Sequence, residues 1–480
     1  MARGQRRGVR AEGYRVPFEV LDLSYMEALQ TLHAACKFGI QPMLETVVDM
    51  LAELGDPDLS FRSLQIAGTN GKTSTSRYAA AILRGQGLRV ALYTSPELVS
   101  LTERMEVDGV PVSEGAFARG VAAAAEAGRR VNVRRRASGE RPYDVTQFDI
   151  LTVAACVAFA QADVDVAVLE CGMGGRWDAT SAVKSIEAVA VTGVGLDHTR
   201  ILGDTLEAIA GEKAAIIRCG QSCVLGVGTA TPDSVEDVFL DRCRSQDVTP
   251  VLLRPECLED AAGEMHAGVP RRHASLLRAS YRITSRPRRL GAPLELTVRT
   301  PRRAYTGLTA LKPSYQAANI ACAVTLTEAF LDGELDGDRL LESVRQCPTP
   351  GRFSLLRPNP PVLVDACHNP QSVDAFLAAL QDIAPDPATR PPLLCAVLAD
   401  KDVGGIVSRL ARAFPAVVCT QTSSSRSLGA DELVRRFLAA GATVTGSYGS
   451  VAAALAAMSA GPLVGCGSIT LAGALAALLA

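Results

Sequence analysis

The sequence predicts two α/β domains, the first on a mainly parallel sheet and the second smaller. Three observations predict this. Apolar runs of strand length, at 64–67, 90–93, 164–169 and 188–194, alternate with helix-patterned stretches. A glycine loop, Gly68-Thr69-Asn70-Gly71-Lys72-Thr73, follows the first run and opens a helical pattern. The same alternation restarts after Thr349-Pro350-Gly351, which reads as a linker and divides the chain into 1–346 and 347–480.

The elements follow in order. Residues 18–55 carry helical periodicity, with Leu29, Leu32, Ala35, Val47, Val48, Leu51 and Leu54 on the apolar face. Helices are expected at 74–83 and 150–160. The basic stretch 128–141 reads as a solvated loop, with attraction of an anionic substrate as the sharper alternative. From 250 to 300 the pattern blurs. In the second half, strands are expected at 362–364, 393–398, 417–418 and 464, with a helix at 371–381. The uncharged tail from Val451 reads as helix, short strand and helix. Gly461, Pro462, Gly465 and Gly467 interrupt it too often for a membrane span.

Bulk composition narrows the function. A chain of 480 residues exceeds one core, so two or three domains are expected. Net charge is -2, which points to neither nucleic acid nor anionic membrane. The 13 cysteines are scattered singly and form no CxxC pair, as expected of free thiols in a reducing cytosol. Residues 1–15 are basic and polar without an apolar stretch, so no secretory signal is expected and a cytoplasmic location is.

Ligands of a parallel sheet collect at the carboxyl ends of its strands. Polar clusters follow Ala67, Tyr93, Leu169 and Val194, so they read as one site. The loop at 68–73 is a shortened P-loop, with Ile66 where the full Walker A pattern has glycine. Its glycines let backbone amides close on phosphate, the following helix adds its dipole, and Lys72 supplies a cation. ATP then implies Mg²⁺, which takes oxygen ligands and keeps several waters. Ser95, Glu170 and His198 stand at strand ends as candidate donors. Glu170 closes an apolar run, where a carboxylate is costly unless it meets a cation.

Longer segments carry a resemblance. AGTNGKTST (67–75), YTSPEL with TERMEVDG (93–109), LECGMGGRWDATS (169–181), GLDHTRILGDTLEAIAGEKAAIIR (195–218), PGRF (350–353) and VDACHNP (364–370) resemble the Mur-ligase superfamily. Within it they are similar to folylpolyglutamate synthase/dihydrofolate synthase. YQAANIA (315–321), ADKD (399–402) and GSITLAGAL (467–475) are weaker echoes. The resemblance implies a P-loop ATP-binding domain and a Rossmann-like C-terminal domain. It implies that Thr69, Asn70, Gly71, Lys72, Thr73, Asn319, Arg352 and Asp365 contact ATP. Ser95, Glu170, His198 and Lys213, the last as a carbamate, would bind magnesium, and Lys72, His198 and Lys213 would serve catalysis. The alternative for Lys213 is a free amine paired with Glu212 or Asp197. Phe148, Asp149, Trp177, Asp178 and Ala179 match pterin-pocket segments, and His368 and Asn369 would line the interdomain cleft. Departures occur at Glu97, Tyr315, Asp149 and Cys367. Glu97 stands where the family usually has histidine and reverses a charge near the expected metal.

The implied activity is an ATP-dependent ligase, monomeric, that joins L-glutamate to dihydropteroate, to folate polyglutamates, or to both through an acyl phosphate. Two other readings compete. A cell-wall Mur ligase is disfavoured by the segment 195–218 and by the lack of a recognisable UDP-binding domain before residue 60. A nucleotide-binding protein without ligation would be expected to lose Glu170, His198 or Lys213, and all three are present.

Overall fold

The computed structural model describes residues 13–35, 43–256, 276–458 and 461–480. The expectations for residues 1–12 and for 257–275 lie outside them. The large sheet holds strands β1 (Arg62–Ala67), β2 (Val90–Tyr93), β3 (Met105–Val107), β4 (Val110–Pro111), β5 (Val166–Glu170), β6 (Ile186–Gly193), β7 (Ser222–Gly228), β8 (Pro250–Pro255), β9 (Leu277–Ser285), β10 (Leu294–Arg299) and β11 (Ala304–Ala310). Their order is β11-β10-β9-β8-β7-β6-β1-β5-β2-β3-β4. From β9 to β2 every neighbouring pair is parallel. Strand β1 lies between β5 and β6, so the chain crosses over on both sides of it, and a crevice opens above its carboxyl end.

The smaller sheet holds β12 (Ser354–Pro358), β13 (Pro361–Asp365), β14 (Leu393–Cys395), β15 (Val417–Thr420), β16 (Val444–Tyr448) and β17 (Leu463–Cys466), in the order β12-β13-β17-β14-β15-β16. Only β12 runs antiparallel to its neighbour. Each sheet separates two apolar cores, as expected where helices cover both faces.

Three expectations need correction. The basic stretch 128–141 is not a loop: most of it completes the helix Glu114–Ala137. Its arginines are solvated as expected, with Arg129, Arg130, Arg134 and Arg136 exposed, while Arg130 and Arg134 also bond Glu53 and Arg135 stacks 3.8 Å over the Tyr143 ring. The blurred region contributes β8, β9, β10 and β11, the last three joined by antiparallel pairing. Their polar residues hid a half-buried sheet, since Leu294, Leu296, Thr297 and Val298 are buried while Glu295 and Arg299 are exposed. The segment at 349–351 is a packed turn rather than a loose linker. Thr349 is buried, and the Ala366 amide donates to the Gly351 carbonyl at 2.8 Å.

The terminal segment folds as helix Val451–Met458, β17 and helix Ile469–Leu479, as its sequence predicts. Among the described residues no helix is long and apolar enough to cross a membrane. That last helix also anchors the other domain. A loop after β2 brings Leu98 against the small-domain core, where a Cβ at Gly473 would lie 1.9 Å from the Leu98 carbonyl oxygen. Gly473→Ala should therefore lower the thermal midpoint, at a cost of about 1–3 kcal/mol for overpacking. An unchanged midpoint in thermal denaturation would show that the two segments do not meet this closely.

Candidate active site

The site is built where β1 ends. Gly68 has φ +149 and Gly71 has φ +85, and both spaces are filled by neighbours. A Cβ on Gly68 would lie 1.9 Å from Thr192 Oγ1, and one on Gly71 would lie 2.4 Å from Asn319 Oδ1. Glycine is required at both for reasons of space as well as conformation. Thr192, on β6, donates its hydroxyl to the Asn70 carbonyl at 2.6 Å and pins the loop from the side. The helix Lys72–Gly85 starts on Gly71 with no side-chain cap. Its first-turn amides are thus left for an external acceptor, the arrangement that receives phosphate.

Two ammonium groups grip this loop. Lys72 Nζ donates to the carbonyls of Gly68 and Thr69 at 3.0 and 3.2 Å. Lys213 Nζ donates to the same Gly68 carbonyl at 3.0 Å. Lys213 is 3% exposed. Burial, and then the Lys72 charge, lowers its pKa to about 7. Its amine does not pair with Glu212, which binds Arg176 at 2.8 Å.

Glu170, 1% exposed at the end of β5, accepts the Thr73 hydroxyl at 2.7 Å and the Ser95 amide at 3.4 Å. Burial raises its pKa, against the pull of Lys72, Thr73, Ser95 and Arg352. A carboxylate so placed, with hydroxyl neighbours and, among the described residues, no ion-pair partner, fits a hard divalent cation. Among the described residues no cluster of three His, Cys, Asp or Glu could hold a metal alone. His198 sits at φ 51, the left-handed region that non-glycine residues rarely occupy, at the start of a short helix. Its side chain opens onto the cleft. Lost solvation, then the Lys401 charge, lowers its pKa and keeps the ring neutral.

The smaller domain closes the opposite wall. Asp365 ends β13, buried, and accepts the Tyr315 hydroxyl at 2.7 Å and the Phe353 and Cys367 amides at 2.9 Å each. Burial raises its pKa, with Arg352 the largest opposing influence. Asn369 and Gln371 reach Asn70 of the loop, at 3.1 and 2.8 Å. A cleft of about 320 Å³ results. It is lined by Thr69, Asn70, Gly71, Lys72, Thr73, Ser95, Glu170, His198, Lys213, Asn319, Arg352, Asp365 and His368.

The pterin-type segments stand elsewhere. Phe148 packs behind Gly172, where a Cβ would lie 2.7 Å from its ring, and the Tyr93 ring is 6.1 Å away. Asp149 takes part in a capping box on the helix Gln147–Gln161, and buried Asp178 accepts amides of Met173 and Thr180. Both carboxylates are therefore committed to backbone. Ala179 is buried, while Trp177 is half exposed. Glu97 does not add a negative charge to the metal position: Arg104 neutralises it at 2.5 Å. Sequence reasoning missed Thr192, Gln371 and Lys401. Nothing in an apolar strand marks Thr192. Lys401, one of six lysines and part of the ADKD echo, carried a usable signal.

A P-loop, a buried carboxylate and a second α/β domain facing them define an ATP-dependent ligase of the Mur type. Comparison with known proteins agrees. The Mur ligase middle domain model matches residues 66–227, and the Mur ligase glutamate ligase domain model matches 351–467. The dihydrofolate synthase/folylpolyglutamate synthase of Mycobacterium tuberculosis is 33% identical over 413 residues, covering 84% of this chain and 78% of that protein. A probable bifunctional folylpolyglutamate synthase/dihydropteroate synthase of Haloferax volcanii is 33% identical over 435 residues, 90% of this chain. The chain spans about half of that protein, 47%. Crystal structures of the M. tuberculosis folylpolyglutamate synthase with ADP and AMPPCP superpose with a TM-score of 0.81 at 28% identity, covering 95% of this chain and 99% of that one. The chain belongs to the folylpolyglutamate synthase/dihydrofolate synthase family of Mur ligases.

Glu170 has a consequence for stability. Its folded pKa is raised, so the folded protein holds this proton more tightly than the unfolded chain. Stability is then lost as pH climbs from the ordinary carboxyl range through the folded value. Glu170→Gln should flatten that loss and raise the neutral-pH thermal midpoint of the protein without metal and nucleotide. Thermal scans across about pH 4 to 8 check this, the range spanning an ordinary and a raised carboxyl. A lower midpoint for the variant at neutral pH would refute it.

Proposed function

We propose that this protein is a bifunctional ligase that adds L-glutamate to dihydropteroate and to folate polyglutamates at the expense of ATP. The observation that carries the reading is one cleft lined by the P-loop, Glu170 and Lys213 from one domain and by Arg352 and Asp365 from the other. The names of its M. tuberculosis and Bacillus subtilis relatives support the substrate class. We place the domain boundary between Gln346, where a helix ends, and Cys347. The protein acts as a monomer in the cytoplasm, a location favoured by the free thiols of all eleven described cysteines.

The chemistry follows from charge. Thr69, Asn70, Gly71, Lys72 and Thr73 receive the ATP phosphates on loop amides, the Lys72 ammonium and the uncapped helix start. Asn319, Arg352 and Asp365 hold the rest of the nucleotide. Mg²⁺, when bound near Ser95, Glu170, His198 and a carbamate on Lys213, neutralises phosphate charge. The substrate carboxylate attacks the terminal phosphorus, and ADP leaves. The neutral amine of glutamate then forms the C–N bond, the C–O bond to phosphate breaks, and the amine proton is released. The site's work is positioning and charge neutralisation rather than nucleophilic catalysis by a side chain. Phe148, Asp149, Trp177, Asp178 and Ala179 form the pterin-side wall, with Asp149 and Asp178 acting through the backbone they cap.

ADP release should require both the carboxylate substrate and glutamate, and a panel of dihydropteroate with mono- and diglutamyl tetrahydrofolates separates the two activities. Release indifferent to both additions refutes ligation. Lys72→Met should lower turnover by roughly a hundredfold or more, the scale for losing one preorganised charge, with an unchanged circular dichroism spectrum. Turnover within a few-fold of the unaltered protein would exclude Lys72 from phosphoryl transfer.

A buried lysine whose pKa falls to about 7 presents free amine to CO₂ near neutral pH. Carbamate formation makes an N–C bond, releases a proton and turns a repelling cation into an oxygen ligand. NMR in isotopically labelled bicarbonate should show a carbamate carbon that Lys213→Arg lacks. An identical signal in both proteins would remove Lys213 from the ligand set.

A further inference from the structure

Asp197 belongs to the larger domain, but the side chains that reach its carboxylate come from the smaller one. Lys401 Nζ lies 2.6 Å from Oδ1, Asn369 Nδ2 donates to Oδ2 at 3.3 Å, and His368 Nε2 is 3.6 Å from Oδ2. From its own domain the carboxylate accepts the amide of His198 at 2.9 Å. It therefore ties the segment carrying His198 to the facing domain. The ion pair is shielded, with side-chain exposures of 7% for Lys401 and 10% for Asp197.

Lys401 is rigidly mounted. It stands on the turn between β14 and the helix Val403–Leu410. Ala399 donates its amide to the Arg426 carbonyl at 2.8 Å, Arg426 pairs with Asp400 at 2.5 Å, and Asp402 caps the helix through the Gly405 amide at 2.8 Å. These contacts fix the turn that presents Lys401, whose ammonium meets Asp197 at 2.6 Å. The two charges meet only with the domains in contact, and they meet beside the cleft where an acyl phosphate would stand.

We propose that Lys401 is a positioning residue that, through Asp197, keeps the smaller domain closed while the acyl phosphate exists, so that amine and not water takes the acyl group. The proposal rests on the ligase function above. Attack by water breaks the same C–O bond, regenerates the carboxylate and releases phosphate, so one ATP is spent without an amide. A weakened latch therefore shows as lost coupling, not merely as lost rate.

The test is the ratio of ADP released to amide formed in the full-length protein with saturating dihydropteroate and glutamate. Unaltered protein should give a ratio near one. Lys401→Met should raise it roughly threefold or more while slowing amide formation about tenfold, the pattern of a gating defect. Lys401→Arg, which keeps the charge, should restore a ratio near one. Asp197→Asn should raise it as Lys401→Met does, and it supplies the reading if Lys401→Met does not fold. ADP and amide falling together at a ratio of one in both Lys401→Met and Asp197→Asn would mean a purely structural role and overturn the proposal. An unaltered protein whose ADP release ignores both substrates would overturn the ligase reading, and this proposal with it.

Discussion

Everything in the site depends on one crowded contact. Lys72 and Lys213 both bond the Gly68 carbonyl at 3.0 Å, so two cations share one acceptor at the tip of β1. Burial, and then the nearby Lys72 charge, make Lys213 give up its proton more readily. The arrangement is tolerable because the glycine loop is held from outside by Thr192, whose hydroxyl donates to the Asn70 carbonyl at 2.6 Å. A loop free to move would relax away from the repulsion. A polyanion entering the cleft relieves it instead, so the protein's unsatisfied charge is a binding energy held in reserve.

The carboxylates tell the complementary story. Glu170 and Asp365 end central strands of the two sheets, and burial raises the pKa of each. Among the described residues neither forms an ion pair of the kind that shields Glu97 or Glu106. In both, the largest opposing influence is a cation, Lys72 for Glu170 and Arg352 for Asp365, while the direct hydrogen bonds come from hydroxyls and backbone amides. Such groups oppose folding, and the large apolar cores on both faces of each sheet carry that cost.

Much of this was legible in the sequence, for identifiable reasons. The loop at 68–73, Glu170 and the segment around His198 each follow an apolar strand, and strand ends in a parallel sheet converge by geometry. Lys213, Arg352 and Asp365 could be placed only through the family resemblance, since no local pattern says that a helix lysine turns inward. The arginines of 128–141 do face solvent, but they concealed the helix that carries them, and the Glu53 that Arg130 and Arg134 bond lies far away in sequence. β9, β10 and β11 were obscured because an edge sheet with one wet face alternates polar and apolar residues among many arginines. Thr192 carried no signal, since its role depends on a loop on a neighbouring strand.

The departures from the family pattern show that the site constrains chemistry more than residue identity. Tyr315 replaces the expected histidine, yet its hydroxyl reaches across the cleft to Asp365 at 2.7 Å and donates there. Glu97 would be intolerable beside a cation-binding carboxylate if left bare, and Arg104 answers it within the same hairpin. In both cases the departing side chain is partnered within the protein, Tyr315 by Asp365 and Glu97 by Arg104. Lys72, Glu170 and the glycines have no such substitutes here. Each meets a requirement of backbone geometry together with charge, and a compensating residue can restore charge but not the space a Cβ would occupy.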